Sequence, residues 1–383
     1  MTLHFPRAAF AARIDAARAA LAANNLDGLL MFQQESMYYL TGYDTFGFCF
    51  FQCLYLGLDG RVALLTRSAD KLQAEHTSII ADIRIWVDAA DTDPAIQLRD
   101  MLDSLQARGK RLGAEFDSYG LTHASGRRVE AALDGFCTLV DASGLINALR
   151  AVKSPAELSY VRRAAELADA ALAAGLEKTR AGADEGEILA AMQGSIFAEG
   201  GDYPGNEFII GSGADALLCR YKSGRRKLSP DDQLTLEFAG AYRHYHAALM
   251  RTVVIGAPRP AHQRMHAACE EALAACEAVL RPGKTAGDVF AAHARVMDAH
   301  GMGAFRLNAC GYSLGAKFTP SWMDTPMCFS GNKTALVPGM VMFLHMILMD
   351  PASGTAMTLG RTSVVTDAAP EILSRAGLEL LRA

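Results

Sequence analysis

The stretch richest in reactive side chains is LEFAGAYRHYHAALMRTVVIG, residues 236–256. It alternates in the manner of a β-hairpin with at least one buried face, yet it carries Glu237, Arg243, His244, His246 and Arg251 beside Tyr242 and Tyr245. Strands favour β-branched and aromatic residues, and buried charge is costly unless paired. The hairpin therefore lies at the surface or lines a cavity where chemistry happens. An imidazole, with an ordinary pKa of about 6.5, can both take a proton from water and give one to a departing nitrogen. A neighbouring carboxylate can hold the imidazole tautomer or bind a cationic amidinium. Alternation along the strand puts His244, His246, Ala248 and Met250 on one face. Arg243, Tyr245, Leu249 and Arg251 then point the other way, and Arg251 reads as a structural ion-pair or carbonyl-binding residue.

The elements around the hairpin belong to a chain of 383 residues, long enough for two domains. Hydrophobic residues make 51% and charged residues 21%, as in a globular protein with a substantial core. A net charge of -5 and a pI near 6.1 argue against nucleic-acid and anionic-membrane partners. No apolar run approaches the roughly 20 residues that span a bilayer. The start, MTLHFPRAAFAARIDAARAALAANNLDGLLMF, has an amphipathic helical pattern and then an apolar strand, without the basic, apolar and cleavage regions of an export signal. A cytoplasmic location is expected. The 8 cysteines form no CxxC pair and sit among apolar neighbours, as buried reduced thiols do.

The first third alternates helix and strand: helices over 10–25, 95–109 and 122–133, strands over 26–32, 110–117 and 137–142, and a strand pair over 48–66 turning at Asp59-Gly60. No glycine loop suited to phosphate follows any of these strands, and no repeat of 20–50 residues is visible. A boundary falls at LINALRAVKSPAEL, where Ser154, Pro155 and Glu157 make a capping box with proline at the first helical position. Thr285 and Asp288 open a later helix in the same way. Runs of helix and antiparallel strand follow, so the spacing predicts an α/β domain over 1–150 and an α+β domain over 151–383.

ALRAVKSPAELSYVRRAAELAD, RPGKTAGDVFAAHARVM, GYSLG and LVPGMVMFLHMI, with MYYLTGY upstream, together resemble the creatinase/prolidase family of two-domain "pita-bread" hydrolases. The resemblance covers nearly the whole chain. It implies a creatinase-like α/β N-terminal domain, an α+β pita-bread catalytic domain and a homodimer; the apolar segment TFGFCFFQC is also too apolar to leave in water. Metal-dependent members hold two ions with two Asp, one His and two Glu. Those positions read here Glu237, Ala248, Tyr312, His345 and Gly360, and the outer-shell His becomes Arg220. Ala and Gly supply no side-chain donor, and two divalent ions need several carboxylates. The chain thus resembles the metal-free branch, which includes creatinase and the ectoine hydrolases; GGDYPGNE, SGADA and AGAYRHYHAALMRT are similar to segments of the latter. These enzymes open C–N bonds of small amidine or guanidino compounds, and no cofactor is expected.

On this reading the hairpin lines an emptied metal pocket. His246 and His345 are acid/base candidates and Glu237 faces the positive nitrogens of a small zwitterionic substrate. Arg220 and Arg361 could grip a carboxylate in a two-pronged contact. Tyr312 could donate a hydrogen bond to a developing oxyanion. Trp322 and Phe46 could wall the pocket, with His244 nearby. Bland alternatives stand beside these: His345 as a hydrogen-bonded core residue, Trp322 and Tyr312 as packing. Three further functions compete: a Xaa-Pro dipeptidase or aminopeptidase, a mononuclear site of Glu237, His246 and His345, and a catalytically silent binder.

Overall fold

The computed structural model describes residues 3–220 and 224–383. The chain divides into two compact units, Met1–Arg150 and Ala151–Ala383.

In the first unit the elements are α1 (Arg7–Ala23), β1 (Gly28–Met31), α2 (Gln34–Thr41), β2 (Cys53–Gly57), β3 (Val62–Arg67), α3 (Lys71–Thr77), β4 (Asp82–Trp86), α4 (Pro94–Ser104), β5 (Arg111–Ala114), α5 (His123–Leu133), β6 (Thr138–Asp141) and α6 (Gly144–Ala151). The sheet runs β4-β3-β2-β1-β5-β6, parallel at its edges and antiparallel through β1-β2-β3. Both faces are covered. Alternation along β1 sends Leu30 into one core and Leu29 and Met31 into the other. Side-chain caps from Asp93 and Thr122 start α4 and α5. Glu115, buried at the end of β5, accepts from the backbone N–H groups of Phe32 and Gln33 at 3.0 and 2.8 Å and from the Ser36 hydroxyl at 2.5 Å. It therefore anchors the start of α2, while burial pushes its carboxyl up to about 7.

The strand expected from Phe48 begins only at Cys53. Gly47–Cys49 instead form a single 3-10 turn that leaves Phe46, Cys49 and Phe50 exposed, so Cys49 departs from the expected buried thiols. The helices α2 and α3 and the strand β4 were not anticipated either.

The second unit comprises α7 (Pro155–Lys178), α8 (Glu185–Ala198), β7 (Ile209–Ser212), β8 (Asp232–Tyr242), β9 (Tyr245–Ile255), α9 (Pro260–Val279), α10 (Ala286–Ala299), β10 (Ala309–Ser313), β11 (Asp324–Phe329), β12 (Val341–Asp350), β13 (Thr355–Val364), β14 (Glu371–Ile372) and β15 (Leu381–Arg382). Capping boxes at Ser154/Glu157 and Thr285/Asp288 open α7 and α10 as their sequences predict. The main path of the sheet is β11-β10-β12-β13-β9-β8-β7, with β14 on β13 and β15 on β9.

Alternation along β12 and β13 gives this sheet two unlike faces. Met342, Leu344, Met346 and Leu348 join Met357 and Leu359 in a core with Met265, Cys269, Leu273 and Cys276 of α9 and Val289 and Phe290 of α10. The intervening residues Phe343 and His345 point to the opposite face. Between β9 and β13 the ladder pairs Leu359 with Arg251 and Gly360 with Met250. Threonines continue it on either side: the Thr362 hydroxyl accepts from Ala248 N and donates to Ala248 O, both at 2.9 Å, and Thr358 N donates to the Thr252 hydroxyl at 2.8 Å.

Candidate active site

Strand register alone assembles the centre of the site. Glu237 pairs with Met250, Met250 with Gly360, and Gly360 with His345, so the four form one row across β8, β9, β13 and β12. Residues directly opposite in a ladder share a face, which puts Glu237 and His345 on the side away from α9 and α10. Tyr312 pairs with Phe343 and joins that face. Its ring centroid lies 5.4 Å from those of both Phe343 and His345.

A directional chain of hydrogen bonds ends on Glu237. The indole Nε1–H of Trp322 can only donate, and it donates to Tyr312 Oη at 2.9 Å. The tyrosine hydrogen is thereby turned to Glu237 Oε1, at 3.4 Å. All three side chains are buried, with Glu237 8% exposed. Burial raises the Glu237 carboxyl to about 7, against the positive charge of Arg220 and the Tyr312 hydrogen bond, which both favour the carboxylate. Tyr312 is pushed well above its ordinary value by burial and by Glu237, so its hydroxyl stays protonated. His345 is driven down to about 3, by burial first and then by His293 and Arg220, and its buried Nδ1 has no partner among the described residues.

Other expected site residues lie elsewhere. His246 is on the expected face and fully buried, but both ring nitrogens are engaged by backbone: Nε2 accepts from Gly205 N at 2.8 Å and Nδ1 faces Gly315 O at 3.3 Å. That arrangement leaves no nitrogen for proton transfer to a substrate, and corrects the acid/base expectation. His244 is not on the strand face. With Arg243 it forms the two-residue turn, both at positive φ (65° and 49°), as in a type I′ hairpin. Its ring stacks on Phe318 at 4.1 Å.

Arg361 faces the helices, where Nε and NH2 grip Glu277 of α9 at 2.8 and 2.9 Å; it is not placed to hold a substrate carboxylate. Arg251 binds carbonyls, with NH1 on Met250 O and Gly360 O and NH2 on Gly377 O. Arg220 is exposed and its charge is felt by Glu237, Tyr312 and His345. Phe46 belongs to the first unit and is 79% exposed.

Three contributors escaped the sequence reading: Phe343, packed on Tyr312 and His345; Asn206, whose Oδ1 accepts from Trp322 N at 3.1 Å; and Gly205, on which His246 bonds. Only the quoted segment GGDYPGNE pointed toward the last two.

Comparison with known proteins agrees with this architecture. Residues 159–367 match the model of metallopeptidase family M24, and residues 13–152 match the Creatinase/Prolidase N-terminal domain. The chain belongs to family M24. Among curated relatives, the ectoine hydrolase of Halomonas elongata is 28% identical over 363 residues, covering 89% of each chain. The Xaa-Pro dipeptidase of Pyrococcus furiosus is 24% identical over 62% of this chain and 67% of its own. Among solved structures, the Xaa-Pro dipeptidase from Bacillus anthracis superposes with a TM-score of 0.85 at 21% identity, covering 98% of this chain and all of the other, a likeness of fold. The two-domain pita-bread fold is thus shared.

The family name implies a metal, and the donor set here does not fit a dinuclear centre. Ala248 and Gly360 offer no side-chain donor, and the row between Glu237 and His345 is filled by Met250 and a glycine. A side chain at 360 is also excluded sterically: a Cβ there would lie 2.8 Å from Leu344 O and 3.0 Å from Phe343 Cε2. Among the described residues no three His, Cys, Asp or Glu side chains are grouped to hold an ion, Glu237, His246 and His345 included.

Proposed function

We propose that this chain is a hydrolase that opens a C–N bond of a small amidine or guanidino zwitterion without a dinuclear metal centre. The observation that carries the reading is the buried Glu237 carboxyl, aimed by the Trp322–Tyr312 pair and set in one row with neutral His345. A proton-transfer group works best when its pKa lies near the operating pH. Glu237, at about 7, meets that condition, whereas His345 at about 3 acts as a neutral hydrogen-bonding imidazole.

In the reaction, the amidinium cation of the substrate pairs with ionised Glu237, and the permanent charge of Arg220 attracts the substrate carboxylate. Water adds to the amidinium carbon as its proton passes to Glu237. The tetrahedral adduct then collapses, the C–N bond breaks, and the departing nitrogen takes that proton. The products are an amide, or a urea from a guanidino substrate, and an amine. Tyr312 stays protonated and steadies the carboxylate between the two transfers.

The test begins with a thermal-shift screen over ectoine, creatine, related betaines and N-acetylated diamino acids, since a ligand that binds the folded state raises the melting temperature. Turnover of any hit is then measured with and without EDTA, alongside elemental analysis. Chelator-insensitive C–N hydrolysis supports the reading. Two ions per chain, with EDTA-sensitive cleavage of Xaa-Pro dipeptides, would establish the peptidase alternative instead.

A further inference from the structure

We propose that His246 is a positioning residue for Glu237, acting through Gly205 and the Trp322–Tyr312 pair; the inference builds on the proposed role of Glu237. His246 stands on β9, two residues past the turn pair, and each of its ring nitrogens meets a different loop. Nε2 accepts from Gly205 N at 2.8 Å, so Nδ1 carries the hydrogen and donates to Gly315 O. One imidazole therefore clamps the segment around Gly205 to the segment after β10.

These two segments meet again at Trp322. Gly205 lies flat against the backbone there, since a Cβ on it would sit 2.8 Å from Trp322 N and 2.9 Å from Ser321 C. The next residue, Asn206, takes the Trp322 backbone N–H on its side-chain oxygen at 3.1 Å. The indole then donates to Tyr312, and Tyr312 to Glu237. From His246 to Glu237 there is a continuous succession of contacts, each with a defined donor or a close backbone approach, the last of them, Tyr312 to Glu237, being the longest at 3.4 Å.

The clamp requires a neutral ring, because a protonated Nε2 would confront the Gly205 N–H with a second donor. Burial drives His246 down to about 4 against the opposing pull of its bond to Gly315, with the nearby Lys317 charge helping, so the acceptor is kept near neutrality.

The test uses the full-length protein and needs no substrate. In His246→Asn the side-chain amide reaches the Nδ1 position and keeps the Gly315 bond but loses the acceptor for Gly205. In His246→Gln the amide oxygen reaches the Nε2 position and keeps it. The readouts are solvent exchange of the Trp322 indole N–H, assigned against Trp86 with a Trp86→Phe variant, and the titration midpoint of the Glu237 carboxyl by carbon-13 NMR. We expect His246→Asn to speed indole exchange about fivefold or more, the scale of one lost hydrogen bond, and to move the Glu237 midpoint upward. His246→Gln should stay near wild type on both. Equal behaviour of the two variants, or a folded His246→Asn with both readouts unmoved, overturns the proposal. Loss of turnover with both readouts unmoved would instead make His246 a group acting on the substrate. Since neither readout depends on turnover, failure here is distinguishable from failure of the hydrolase reading.

Discussion

Arg361 and Glu277 are locked in a two-pronged ion pair at 2.8 and 2.9 Å on the helix side of the second sheet, one residue along β13 from Gly360 of the site row. A single step along a strand reverses the side chain's face, so Arg361 serves the packing of α9 and not the substrate. Arg361→Met should therefore cost stability, about 2 kcal/mol on the scale of hydrogen bonds to charged groups, read by urea denaturation. The Michaelis constant of the identified substrate should stay unchanged. A large rise in that constant at undiminished stability would return Arg361 to the site.

Glu237 links the chemistry to stability. Its folded-state carboxyl, at about 7, lies above the ordinary glutamate value of about 4.3, so the folded state favours the protonated form. The contribution is fully present below the ordinary value and is lost as pH rises through 7. Glu237→Gln should abolish turnover yet flatten this slope, leaving the variant more stable than wild type at pH 8, on the order of 1–3 kcal/mol. Parallel stability curves for the two proteins between pH 5 and 8 would contradict the burial argument.

On the proposed role of Glu237, the same group also sets the pH dependence of the rate. With Glu237 needed as the carboxylate and His345 neutral over the working range, kcat/KM should climb toward neutrality along one limb near 7 and then level off. Tyr312→Phe removes a hydrogen bond that favours the ionised form, so the limb should move to higher pH while the maximum falls. A limb that does not respond to this substitution would point to another titrating group.

In the first unit, Phe46 and Phe50 are 79% and 44% exposed beside exposed Cys49. A patch of this kind is expected to be covered by a second copy of the chain. Light scattering at micromolar concentration should give twice the monomer mass, and Phe46→Ser with Phe50→Ser should lower it. A wild-type monomer at that concentration would refute the dimer.

What could be read from sequence followed the range of the interactions involved. Capping boxes at Ser154 and Thr285 are local, and both formed. Alternation correctly turned Arg251 away from Glu237 and His246 toward it. The reading failed where long-range contacts decide. Nothing in the residues around His246 announces that Gly205 and Gly315 will occupy its two nitrogens, and nothing around Arg361 announces Glu277, 84 positions away. His244 was misplaced because the turn could have been drawn one residue earlier; the pairing of Tyr242 with Tyr245 decides it. Trp322 and Tyr312 were each found, but not their mutual bond, which requires a loop and a strand to be superposed in space.

The crowding around Gly360 bears on how this molecule can change. An acidic side chain at 360 would have to displace the Phe343 ring and the Leu344 carbonyl, the neighbours that hold Tyr312 and His345 in register. A carboxylate at 248, by contrast, would meet no such barrier from the absence of a β-carbon, since alanine already has one. Restoring an acid at 360 therefore loses the present arrangement before any ion can reward the change. In the space of single substitutions, that step toward a two-metal centre runs uphill.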